Sequence, residues 1–311
     1  MYMKTTKIQN NKNRFLFAID LDGTTLQSSR TGEIHEVTIK AVQRAVKEGH
    51  IVCILTGRPW RSTQEIYKTL NLNTVVVNYN GAHIHHPLDK TFIPHIKYLN
   101  LNEALYILGD DYVKNEISNL VIEGPDWVQL QRKDVNLEAV FSLHNTPKKR
   151  IGLDFFKIPL QPTGVLFDVK ETTDPEKLRK YLKTKFSDLA EFSYWSKGEG
   201  LTPVFDITSL KASKGKALSM LMRYYDISIE NTIAIGDSFN DVSMFKIANL
   251  SVAMQNADKH VKKYATIKIN HNNKNGGVGH WINAFLDNPE KEIERSNKRK
   301  EKILSVQESD D

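Results

Sequence analysis

A single cysteine, Cys53, leaves the chain without a partner for an internal disulfide and without the Cys-x-x-Cys pairs of zinc and redox sites. It lies inside the apolar run Ile51-Val52-Cys53-Ile54-Leu55, where a thiol reads as a small buried hydrophobe rather than a nucleophile. Long hydrophobic stretches are missing as well: no run approaches the roughly 18 apolar residues that a membrane helix needs. The opening residues, MYMKTTKIQNNKNRF, are polar and basic with no apolar centre of signal-peptide length, so the expected setting is the cytoplasm. There is no internal repeat. Nor is charge gathered in one place. The net charge is +6, yet residues 84–203 hold 16 Lys and Arg against 17 Asp and Glu, so the excess is spread over the rest of the chain. A diffuse excess lacks the basic stripe of a nucleic-acid groove and suits mild attraction for anionic small molecules.

What is present is ordinary globular composition, 40% hydrophobic and 26% charged, in a length that suits two domains. Phe15-Leu16-Phe17-Ala18-Ile19 reads as a buried strand that closes on Asp20-Leu21-Asp22-Gly23-Thr24, two carboxylates at a strand end before a glycine turn. A helical spacing of Val37, Ala41, Val42, Ala45 and Val46 and a second buried strand, Ile51 to Leu55, complete a βαβ unit. Its right-handed crossover sets the two strands parallel and adjacent. Thr56-Gly57-Arg58-Pro59 therefore emerges beside Asp20, on the edge where open parallel sheets place ligands.

A helix from about Trp60 to Leu70 and a third strand, Thr74 to Val77, lead to the turn Asn78-Tyr79-Asn80-Gly81. From about Ile84 the pattern changes to short strands (Thr91 to Pro94, Leu120 to Glu123, Trp127 to Leu130, Gly152 to Phe156, Val165 to Val169, Glu191 to Trp195) among helical stretches at 101–113, 135–144 and 175–186. The first pattern resumes near Val204 to Ile207. It continues through a helix opened by Lys214 and a strand, Thr232 to Ile235, to Gly236-Asp237-Ser238-Phe239-Asn240-Asp241. A strand at Leu250 to Ala253 and a helix from Gly279 to Leu286 follow. The expected fold class is α/β, with a parallel-sheet core made of residues 1–83 and 204–286, an α+β insertion at 84–203, and a charged tail at 287–311 that is a solvated helix or a loose end.

Four polar clusters meet at one sheet edge in this scheme: Asp20 and Asp22, Thr56 and Arg58, Lys214, and Asp237 with Asn240 and Asp241. Crowded carboxylates repel one another unless a divalent cation neutralises them, and oxygen-only ligands favour Mg²⁺ over zinc or copper. A hydroxyl and an ammonium beside that metal suit a phosphate dianion, so the expected reaction is phosphoryl transfer.

The segments DLDGT, LTGRP, SKGKAL and GDSFND, in that order, resemble the four signature motifs of the haloacid dehalogenase (HAD) superfamily. The insertion between the second and third, the Asn80-Gly81-Ala82 turn and the late NGGVGHWI stretch are similar to the Cof-like, type IIB phosphatases, over roughly residues 14–286. The resemblance implies a Rossmann-like core with the α+β insertion as a substrate-covering cap. It implies that Asp20 attacks phosphorus to form an aspartyl-phosphate, and that Asp22 protonates the leaving alcohol and then deprotonates the attacking water. It implies Mg²⁺ held by Asp20, the main-chain carbonyl of Asp22 and Asp237, with Asp241 in support and Asn240 orienting these groups. Thr56 and the backbone N–H groups after Asp20 would hold phosphate oxygens, and Lys214 would offset charge. Gly57, Arg58, Asn80 and Asn240 are the remaining substrate-side candidates.

The implied function is a Mg²⁺-dependent phosphatase acting on a small phosphorylated metabolite, a sugar phosphate or a phosphorylated cofactor, without nucleic-acid or membrane partners. Two alternatives stand beside it: a phosphomutase of the same fold, and a non-catalytic protein that senses a phosphometabolite. Ion-pumping ATPases share the phospho-aspartate chemistry, and the missing membrane spans exclude them. His83, His85 and His86 alternate around Ile84 in a strand-like run, which suits the polar face of a strand better than a second metal site. Lys148-Lys149-Arg150 reads as a solvated loop.

Overall fold

The computed structural model describes residues 14–307 apart from 141, 144–145, 147, 155–156, 159–160 and 196–199. The polar opening residues and the chain's last four lie outside the described residues, as do parts of the expected helix at 135–144 and strand at 152–156.

Five strands form a parallel sheet in the order β14 (Ile267–Lys268), β13 (Leu250–Ala253), β12 (Thr232–Gly236), β1 (Leu16–Ile19) and β2 (Ile51–Ile54). All four residues of β1 and of β2 are buried, as continuous apolar runs must be in a parallel sheet covered on both faces. On one side α1 (Glu36–Lys47) packs against α9 (Gly277–Asp287). They cross so closely that a Cβ at Gly279 would lie 2.5 Å from the Thr38 backbone. Helices α7 (Lys214–Tyr225) and α8 (Val242–Phe245) also contribute to this core, through Leu218, Leu221 and Met244.

A second, six-stranded sheet runs β10 (Glu191–Trp195), β11 (Val204–Thr208), β9 (Gly164–Val169), β6 (Ile117–Glu123), β7 (Trp127–Leu130) and β8 (Lys148–Ile151), antiparallel except for the β7–β8 pair. Its own apolar core joins Phe167 and Phe205 to Ala104 and Ile107 of α3 (Leu101–Leu108), Val113 of α4 (Asp111–Glu116), and Leu178 and Leu182 of α6 (Pro175–Phe186). Helix α5 (Val135–Val140) completes this unit. α2 (Gln64–Thr69) packs Ile66 and Tyr67 into the core of the parallel sheet, which also takes in Val76, Val77 and Ile84 of a small antiparallel sheet of β3 (Val76–Asn78), β4 (His83–His85) and β5 (His95–Ile96).

Several expectations change in detail. The stretch 204–208 is a strand, but it pairs antiparallel with β9 and β10 and so belongs to the six-stranded sheet; the chain returns to the parallel sheet only at β12. A short buried strand suits either sheet, and pairing partners alone decide. The third strand keeps one parallel bridge to the first sheet, Leu55 with Val77, and otherwise heads the small sheet. Left-handed backbone at Tyr79, Asn80 and Gly81 turns the chain back there. Strand pairing falls at 95–96 rather than 91–94. The basic run 148–150 forms the edge strand β8 instead of a loop, a common protection for a strand edge. The tail forms α10 (Pro289–Gln307), tied to α9 by Trp281 Nε1 donating to the buried Glu292 at 3.0 Å. The rings of His83 and His85 stack at 4.4 Å, and burial pushes them down to about 4 and about 3. Burial raises the Cys53 thiol to about 12. Among the described residues no helix is long and apolar enough to cross a membrane.

Candidate active site

The carboxyl ends of β1, β2 and β12 share an edge, and the polar clusters gather there. Asp20 leaves β1 with its N–H on the Ile235 carbonyl at 3.0 Å. The chain then makes one tight turn, closed by Leu26 N–H on the Leu21 carbonyl at 2.9 Å. Gly23 in that turn has φ +74, and a Cβ there would sit 2.3 Å from Asp237 Oδ2, so both conformation and space require glycine. Thr24 donates its hydroxyl to Asp237 Oδ1 at 2.6 Å, which ties the first motif to the fourth.

Lys214 is the first residue of α7 and is fully buried. Its ammonium donates to Asp20 Oδ1 at 2.5 Å and to Asp241 Oδ1 at 2.6 Å. The other Asp241 oxygen accepts the N–H groups of Asp237 (2.9 Å) and Ser238 (3.0 Å). Ligand oxygens of Asp20, Asp237 and Asp241 lie within 4.8 Å of one another. Burial, followed by the charge on Asp241, raises the Asp20 carboxyl well above its usual range, and Lys214 opposes the rise. The same two causes push Asp237 up to about 7 against the hydrogen bonds from Thr24 and Ser238. Burial disfavours the charge on Lys214, but Asp20 and Asp241 together hold its ammonium above the ordinary range.

Thr56 is buried beside this group; its hydroxyl accepts the Arg58 N–H at 3.1 Å, which leaves its own proton for another oxygen. Gly57 lies under Asn80 and Trp195: a Cβ there would meet the Asn80 amide at 3.3 Å and the Trp195 indole nitrogen at 3.5 Å. Arg58, one of the substrate-side candidates, makes a salt bridge inside the protein. Its guanidinium grips both oxygens of Asp22, at 2.6 and 2.8 Å, and reaches the Ser29 carbonyl. A bidentate arginine–carboxylate pair is among the strongest polar contacts a protein makes. The Asp22 carboxylate so held is not among the oxygens that gather with Asp20, Asp237 and Asp241, although its charge helps to raise Asp20. Asn80, expected on the substrate side, has both ends of its amide engaged, Nδ2 with Asp206 at 2.9 Å and Oδ1 with Asn240 at 3.0 Å.

The sequence profile of the haloacid dehalogenase-like hydrolases matches residues 17–282. The chain belongs to that family. Among this hydrolase's relatives, a Metamycoplasma hominis protein named as a phosphatase is 56% identical over 274 residues, 88% of this chain and 97% of that protein. The 5-amino-6-(5-phospho-D-ribitylamino)uracil phosphatase of Bacillus subtilis is 32% identical over 276 residues, 88% of this chain and 97% of its own length. A solved haloacid dehalogenase-like hydrolase of B. subtilis superposes with a TM-score of 0.69 at 25% identity, covering 86% of this chain and 98% of that one.

The acidic group of the hydrolase fits a hard divalent cation: its donors are all oxygen, and burial and mutual repulsion hold Asp20 and Asp237 well above their usual range until positive charge arrives. Several residues of this region escape sequence reasoning. Asp206 interrupts the apolar run Val204-Phe205-Asp206-Ile207, and that lone acid in a buried strand is a signal the sequence does carry. Arg61 and Glu123 form an ion pair between the turn after β2 and the end of β6, with the Arg61 side chain 8% and that of Glu123 0% exposed. Nothing in the sequence pairs them.

Proposed function

We propose that this hydrolase removes phosphate from a small phosphorylated metabolite in the cytoplasm, using Mg²⁺ and an aspartyl-phosphate formed on Asp20. The observation that carries the reading is the meeting of Asp20, Asp237, Asp241 and Lys214, all but Asp237 buried, at the sheet edge where Thr56 follows β2. Two relatives named as phosphatases support it. Asp20, Asp237 and the main-chain carbonyl of Asp22 would hold the metal, with Asp241 bracing the group through Lys214 and the backbone. When bound, the metal neutralises the carboxylates and draws charge from the phosphoryl oxygens.

The remaining work falls to side chains. Lys214 fixes Asp20 Oδ1, which leaves Oδ2 to attack phosphorus. As that P–O bond forms, the bond to the alcohol breaks and the departing oxygen takes a proton from Asp22. A water then gives its proton to Asp22 while its oxygen attacks phosphorus, and Asp20 departs with the bonding electron pair. For these exchanges the Asp22 side chain turns from Arg58 towards the reacting oxygens and takes up a proton from solvent, which the second step restores for the next cycle. Thr56 donates its hydroxyl proton to a phosphoryl oxygen, and Lys214 offsets the charge that builds there.

The test is phosphate release from a panel of sugar phosphates, nucleotides, and pyridoxal and flavin phosphates, with and without Mg²⁺. Turnover on at least one small ester, dependent on Mg²⁺ and lost in Asp20→Asn, is expected. An Asp20→Asn variant as fast as the wild type overturns the reading. Isomerised ester without free phosphate points to the mutase, and ligand-dependent melting without turnover points to the sensor.

A further inference from the structure

Three side chains in series join the six-stranded sheet to the loops of the candidate active site. Asp206, buried in β11, accepts Asn80 Nδ2 and Trp195 Nε1 at 2.9 Å each and the Ser193 hydroxyl at 3.4 Å. Asn80 Oδ1 in turn accepts Asn240 Nδ2 at 3.0 Å. The Asn80 main-chain N–H donates to the Thr56 carbonyl at 2.9 Å. The next residue, Gly81 (φ +104), lies so close to the Ser213 carbonyl that a Cβ would stand 2.5 Å from it. One turn therefore touches Thr56, the residue before Lys214, and Asn240, the residue before Asp241.

The direction of the hydrogen bonds in this series is set at one end. Once ionised a carboxylate only accepts, so above about pH 7 Asp206 makes Asn80 turn its NH₂ towards it and its oxygen towards Asn240, and Asn240 must then offer its own NH₂. A residue that only filled the strand would be apolar, as Val204, Phe205 and Ile207 are. Burial pushes the Asp206 carboxyl up to about 7 while Trp195, Asn80 and Ser193 hold it down, so three donors are committed to a group that is costly to bury.

We propose that Asp206 is a positioning residue: through Asn80 it sets the amide of Asn240, and so registers the six-stranded sheet against the turn that carries Asp237 and Asp241. The kinetic part of its test rests on the phosphatase reading above; the spectroscopic part does not. Asp206→Asn replaces a pure acceptor with a group that also donates, which frees Asn80 and Asn240 to turn over. In that variant kcat on the best ester falls about 10- to 100-fold, the range expected for small misplacements near reacting groups, while KM changes little and the melting temperature does not fall. Adding Asn80→Asp to Asp206→Asn rebuilds both hydrogen bonds, the one between positions 206 and 80 now reversed, with the carboxylate at position 80 accepting from both neighbours, and restores kcat at least tenfold over Asp206→Asn alone. A purely structural role predicts lost melting temperature, unchanged kcat per folded molecule and no recovery in the double variant. Independently of turnover, the side-chain amide resonances of Asn80 and Asn240 shift in Asp206→Asn. Unmoved resonances overturn the proposal, as does a kcat within twofold of wild type. A wild type inert on every ester overturns the phosphatase reading instead, and the resonances then decide the role of Asp206.

Discussion

The acidic cluster makes a prediction in which stability, pH and metal are linked. Folded Asp237 titrates near 7, and its ordinary value is 3.8. Between those values the folded chain keeps a proton that the unfolded chain has released, so the stability this group contributes is complete below pH 3.8 and is withdrawn as the pH rises through 7. At about 1.4 kcal/mol for each tenfold change in proton concentration, the interval amounts to about 4 kcal/mol. Other groups titrate in the same window. Asp206, also near 7, acts in the same direction, whereas His83 and His85, near 4 and 3, add stability as the pH climbs towards 6.5. Comparison with Asp237→Asn cancels these contributions, while Asp20, which the charge on Asp237 helps to raise, is relieved in the variant and so adds to the difference. In EDTA the wild type should lose ground to Asp237→Asn from pH 4 to 8, by an amount on the order of 10 °C in melting temperature. Mg²⁺ should then stabilise the wild type at pH 8, by about 2.7 kcal/mol at a hundred times the dissociation constant, and leave Asp237→Asn nearly unmoved. Calorimetric melting of both proteins across this range, with EDTA or Mg²⁺, reads the effect. A melting difference that does not vary with pH, or an equal Mg²⁺ gain in both proteins, would refute the reasoning.

Two further outcomes follow from particular contacts. Gly23→Ala puts a side chain at φ +74 and drives its Cβ to 2.3 Å from Asp237 Oδ2. It should cost about 1–2 kcal/mol of stability and abolish the Mg²⁺-dependent rise in melting temperature; a wild-type Mg²⁺ response would show that Asp237 tolerates displacement. Glu123→Ala strips the carboxylate from a nearly buried Arg61. Removing one partner of such a pair costs about 3–5 kcal/mol, to be read from the denaturant midpoint, and a loss under about 1 kcal/mol would mean the pair carries little weight.

The sequence exposed the parallel sheet and its reactive edge because those signals are contiguous. Phe15 to Ile19, Ile51 to Leu55 and Ile233 to Ile235 are unbroken apolar runs, and they end, the first two directly and the third after Gly236, on polar residues that the sheet must present together. Membership of Val204 to Thr208 was not legible, since a strand buried on both faces looks alike in either sheet. The engagement of Arg58 by Asp22 and of Asn80 by Asp206 was hidden for a different reason. Each pairs side chains from separate segments, and periodicity reports which face a residue occupies but not which partner it meets there. The same holds for Arg61 and Glu123, whose residue types in exposed surroundings would signify only solubility.

The strand that ends on Asp20 pairs with Ile51 on one side and with Thr232 on the other, register for register from Leu16. On a ribosome adding about 5–20 residues per second, its first neighbour follows within seconds, whereas the second emerges on the order of 10–40 s later. Through that interval the newborn chain carries an apolar strand, Leu16 to Ile19, with one hydrogen-bonding edge open, while the intervening sheet can collapse around its own core. The centre of the molecule is thus among the last parts to close, and the reactive edge does not exist before it does. An unfilled slot at the heart of a sheet is the kind of open edge that pairs with strands from other chains.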